Sequence, residues 1–76
     1  MLTYATHIDF HDEEHGRGVV RVQTYRCWYR VAVQKDECVV LGPGVEETIS
    51  SEDIPPDLSF EARALCAVLI FEETER

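Results

Sequence analysis

His7, His11 and His15 stand four residues apart, with Asp9, Asp12, Glu13 and Glu14 among them. Imidazole and carboxylate together are ligands suited to Zn²⁺ and related divalent ions. His11 to His15 (HDEEH) also fits H-x-x-E-H, the inverted zinc-protease pattern. That pattern needs a helix, so that both histidines share a face and the glutamate can activate a water. Here Gly16 and Gly18 follow, the stretch reads as a loop, and no third ligand comes after it. A chain of 76 residues also has no room for a protease fold. The expectation is therefore no metal and no cofactor. A metal- or pH-responsive module built on the three histidines is the alternative.

Other catalytic arrangements have less support. No serine sits at a strand-to-helix elbow, and no cysteine lies near a histidine in sequence. Gly42-Pro43-Gly44 lacks the glycine spacing and the lysine of a phosphate loop. The chain is expected not to be an enzyme.

Two patterns suit binding. Arg26, Trp28 and Arg30 alternate along a β-rich segment and would share one face, opposite Cys27, Tyr29 and Val31. Tryptophan and arginine are the residues most enriched at interface hot spots. The second pattern is acidic. Fifteen Asp and Glu against seven Lys and Arg give a net charge of -8. The acids cluster: Asp12, Glu13 and Glu14; Asp36 and Glu37; Glu46 and Glu47; Glu52 and Asp53. Repulsion from phosphate argues against direct DNA or RNA binding and against anionic membranes. It favours a protein partner with a basic surface. Loop pairs about a strand length apart could imitate the phosphates of a nucleic acid. The leading expectation is a small acidic protein-binding protein that acts by occupancy. An inhibitor of a nucleic-acid-handling complex, of the phage or mobile-element type, would fit. A structural subunit of a larger assembly is a further alternative.

The elements that must position these residues are short. Leu2 to Phe10 alternates, with Leu2, Tyr4, Ile8 and Phe10 on one face, and reads as a strand. His11 to Gly18 is a polar connection. Val19 to Gln34 is dense in β-formers, but its alternation slips near Thr24, so it reads as two segments joined by a bulge or a turn. Gln34 to Glu37 is a turn, Cys38 to Leu41 a short returning strand, and Gly42-Pro43-Gly44 a break. Val45 to Ile49 reads as an edge strand, and Ser50 to Pro56 as a linker stiffened by two prolines. Residues 58–73 have helical spacing, with Asp57 or Ser59 as cap. A helix over 58–66 followed by a strand over 67–72 is the alternative.

The fold class expected is α+β, one small domain over residues 1–76. It would be an antiparallel meander of three to four strands with one C-terminal α-helix packed on one face. The last segment is apolar on more than one side, so Val68, Leu69, Ile70 and Phe71 are expected to seat a second copy, as a homodimer, or a partner. Cys27, Cys38 and Cys66 are odd in number and have no CxxC pair, which points to a reducing, cytoplasmic setting without disulfides. No signal peptide is visible at the N-terminus. The longest apolar run, Ala64 to Phe71, is far short of the roughly 20 residues that span a bilayer.

Overall fold

Alternate residues along the centre of the chain are buried valines, and they set the sheet. The computed structural model describes residues 4–74. Strand β2 (Arg17–Gln23) buries Val20 and Val22, and β3 (Trp28–Val33) buries Tyr29, Val31 and Val33. Strand β4 (Glu37–Gly42) adds Cys38 and Val40 to the same face. β-Branched side chains are stiff and fit a pleated surface, so this alternation favours strands over helix. β1 (Ala5–Asp12) and β5 (Val45–Ser50) flank these three in the order β1-β2-β3-β4-β5, all antiparallel.

Among the described residues the sheet thus has five strands rather than three to four. The slip near Thr24 is a turn, which makes two strands of the Val19–Gln34 run. Thr24 N–H donates to the Cys27 carbonyl at 3.0 Å, and the Thr24 hydroxyl accepts from the N–H groups of Arg26 and Cys27. Val45 to Ser50 is a full edge strand. It is joined to β4 through Pro43-Gly44, the residue order of a type II turn, with Gly44 at φ +69°.

Helix α1 (Phe60–Thr74) closes one face of the sheet. The Ser59 hydroxyl accepts from Ala62 N–H at 3.2 Å and caps it, and Glu61 stands in the favourable first turn. Ala64, Ala67, Val68, Phe71 and Glu72 are buried, spaced by three and four, so one stripe of the helix meets the sheet. The helix runs unbroken through residues 67–72, which excludes a strand there. Val68 (0% exposed) and Phe71 (4%) belong to the chain's own core, so the expected interface on this helix reduces to Leu69 and Ile70.

The Ser50–Pro56 segment is more than a linker. It holds a 3₁₀ turn over Ser51–Asp53 and buries Ile54 in the core. The buried Glu72 carboxylate accepts from the hydroxyls of Tyr29 at 3.3 Å and Tyr4 at 3.4 Å. Burial, reinforced by Cys27 and by that carboxylate, keeps the Tyr29 phenol protonated well above its ordinary range. No helix among the described residues is long and apolar enough to cross a membrane.

The three thiols differ in access. Cys38 is fully buried, and burial pushes its thiol up against the opposing pull of Arg63. Cys27 and Cys66 are only partly covered. A water-soluble thiol reagent is therefore expected to label Cys27 and Cys66 in the native protein and Cys38 only after unfolding. Native labelling of all three at one rate would contradict this packing.

Candidate functional site

Helix α1 covers one face of the sheet, and among the described residues no layer covers the other. The pairing registers line up the open face in cross-strand rows. One row runs His7, Arg21, Arg30, Leu41, Glu46, and the next runs Phe10, Val19, Ala32, Val39, Thr48. Trp28 lies beyond the first row, opposite Gln23. A solvated antiparallel face ordinarily carries polar residues. This one leaves Phe10 49%, Trp28 48% and Leu41 37% exposed.

Phe10 reaches this face because of a bulge in β1. Ile8 pairs with Val20 on the helix side, the register then shifts, and Phe10 pairs with Val19 on the open side. Strict alternation would have put Ile8 and Phe10 on one face, and the structure separates them. The same bulge divides the histidines. His7 stands opposite Arg21 on the open face, 3.6 Å from Asp9. His11 lies on the helix side, edge-on to Phe60 with ring centres 4.5 Å apart. His15 sits in the β1–β2 turn with Nδ1 2.8 Å from an Asp12 oxygen. Among the described residues, no group of three His, Cys, Asp or Glu could hold a metal ion. The HDEEH stretch is the end of a strand and a turn, so its histidines do not share a face. Slight desolvation pushes the Asp12 carboxyl up, but hydrogen bonds from His15 and Arg17 outweigh it and hold the group below its ordinary value.

Trp28 and Arg30 share the open face, but Arg26 does not join them. It lies in the β2–β3 turn, its guanidinium 5.9 Å from the centre of the Tyr25 ring. Its place is taken by Arg21 of β2. The Arg21 guanidinium is 5.4 Å from the Trp28 ring centre, and its Nε donates to Asp9 at 2.9 Å. Arg21 is visible only once the hairpin register is known, because sixteen residues of β-forming sequence allow several pairings. Arg21 and Arg30 are directly opposite each other. Like charges so placed are destabilising. Asp9 relieves Arg21, whereas Arg30 is exposed and makes no ion pair or side-chain hydrogen bond among the described residues. The two arginines form a ridge between two shallow depressions. One, of about 550 Å³, is lined also by Trp28, Leu41 and Pro43. The other, of about 440 Å³, is lined also by Asp9, Phe10 and Val19.

The acidic clusters do not form one array. Glu13, Glu14 and Asp36 meet around a depression of about 600 Å³ at one end of the sheet, with Lys35 and Arg63 among them. Glu52 lies beside Asp36 there, and Asp53 ends the same 3₁₀ turn. Asp12 is taken up by His15 and Arg17. Glu37 and Glu46 belong to the open face, opposite Ser50 and Leu41, while Glu47 pairs with Val40 on the other side. No family model, curated protein or solved structure matches this chain.

Proposed function

We propose that this chain is a protein-binding module that acts by occupancy and docks through the open face of its sheet. The observation that carries the reading is the apolar row Phe10–Val19–Ala32–Val39, with Leu41 in the neighbouring arginine row and Trp28 exposed beyond it, on a face that no other layer among the described residues covers. An exposed apolar patch rimmed by charge is the ordinary mark of an interaction surface. The net charge of -8 keeps such a protein soluble despite the patch. Three free thiols suit a reducing compartment such as the cytoplasm. Self-association into a homodimer would use the outer side of the helix, where Leu69 is exposed and Ile70 partly covered.

A second reading rests on the acidic end. Three separate turns bring Glu13, Glu14, Asp36, Glu52 and Asp53 to one region, which would suit a basic partner, including a nucleic-acid-handling protein whose groove the acids occupy. One experiment separates the two. The partner captured from host lysate by the wild-type protein is measured against Trp28→Ser and against the combined Glu13→Gln, Glu14→Gln, Glu52→Gln variant. Docking through the sheet predicts a loss of about 2 kcal/mol, roughly thirtyfold, for Trp28→Ser, little change for the glutamine variant, and binding that survives high salt. Retained affinity in Trp28→Ser, with loss in the glutamine variant and at high salt, would replace this reading with the acidic one.

A further inference from the structure

The arginine ridge says what chemistry the open face is built to receive. Resting on the docking-face reading, we propose that the face binds an acidic–apolar protein segment, one carboxylate on Arg30 between two bulky apolar side chains. Three observations carry this. First, Arg30 is an always-charged group without a partner among the described residues, directly opposite a second arginine. A free chain gains nothing from that arrangement, and departures from the stabilising rule gather at functional sites. Second, Asp9 and the Trp28 ring already occupy Arg21, so a single incoming carboxylate completes the charge balance. The planar fork of Arg30 can donate two parallel hydrogen bonds to it. Third, the depressions lie on either side of the ridge, one by Trp28 and one by Phe10.

The spacing follows from β3 itself. Trp28, Arg30 and Ala32 are alternate residues on its open face, and Ala32 shares its row with Val19 and Phe10. An extended partner segment also presents every second side chain to one side. A segment of pattern apolar-x-acid-x-apolar therefore places its first apolar residue at Trp28, its acid at Arg30, and its last apolar residue at the Ala32–Phe10 row. A phosphate chain, charged at every unit, suits the site less well than a segment with one carboxylate aimed at Arg30, since Asp9, Asp12, Glu37 and Glu46 border the same face.

Trp28 is the only tryptophan in the chain, so its fluorescence reports on this site alone. The probes are the blocked peptide acetyl-Phe-Ser-Glu-Ser-Phe-amide and its glutamine counterpart. The glutamate peptide is expected to shift Trp28 emission saturably and to bind about tenfold tighter than the glutamine peptide. Arg30→Gln should abolish that difference. This variant removes the like-charge opposition to Arg21, so it is expected to fold at least as well as the wild type, with an unchanged circular dichroism spectrum. Arg30→Lys, with the charge but not the fork, should recover only part of the difference. Equal affinity for the two peptides would overturn the carboxylate assignment and leave the docking face standing. No response to either peptide would overturn the segment proposal, while Trp28→Ser capture decides the docking face separately. Tighter binding of an oligothymidylate would make the face a nucleic-acid platform. An emission shift that follows protein concentration, with a dimer in sedimentation, would assign it to a second copy. Either result overturns the proposal.

Discussion

Truncating Phe71 to alanine is expected to cost about 3–5 kcal/mol, enough to leave much of the protein unfolded at 37 °C. The ring is 4% exposed and meets Tyr29 edge-on, with centres 5.7 Å apart. Its removal takes away apolar burial and leaves a cavity between helix and sheet that the stiff valines of β2 and β3 cannot fill. A domain of this size has roughly 4–11 kcal/mol of stability in all. One such substitution therefore removes a large share of it. Leu69→Asp, two residues away, should shift the urea midpoint little, because Leu69 points outward and is 41% exposed. The pair of urea curves reads the two sides of α1. Equal destabilisation by both variants would mean that the outer side is also covered, as in a dimer through the helix. Dependence of the Leu69→Asp effect on protein concentration would then confirm the dimer.

Much of this arrangement was legible in the residues, and the illegible parts share a cause. Alternating valines mark β2 to β4, Gly42-Pro43-Gly44 marks a break after β4, and Ser59 with Glu61 marks the helix start, because each is a local signal. Tyr29 inside implies Trp28 and Arg30 outside by the period of two. Ile54 was hidden because it stands among Ser, Glu, Asp and Pro, where only the tertiary fold shows that a core opens beneath it. Arg21 was hidden because its neighbour across the hairpin depends on where the chain turns, and Thr24 to Cys27 has no Asn-Gly or Asp-Gly to announce it. The acidic clusters misled in the opposite way. Adjacent acids look like one surface in sequence, but along a strand they point to opposite faces, so Glu46 and Glu47 part company.

The bulge in β1 is the least legible feature, and one glycine on the neighbouring strand accommodates it. Gly18→Ala is expected to destabilise the fold by about 1–3 kcal/mol and to weaken docking, although no residue of the open face is changed. A Cβ on Gly18 would stand 2.8 Å from the Phe10 carbonyl oxygen. That atom is backbone, so no side-chain rotation can relieve the contact; β1 itself must move. Two responses are open to it. The end of β1 can fray from β2, or the bulge can be lost, and a one-residue slip would carry Phe10 from the open face to the helix side. Either response dismantles the depression at Phe10. Gly16→Ala is the control. Gly16 has φ +63° and open space around its Cβ position, so alanine there should cost only the left-handed backbone strain of about 1 kcal/mol and leave the face intact. Urea titration followed by circular dichroism measures the stability of both variants, and Trp28 fluorescence measures their affinity for the glutamate peptide. If Gly18→Ala proved no more costly than Gly16→Ala and bound the peptide as the wild type does, the bulge would not be what sets Phe10 on the docking face.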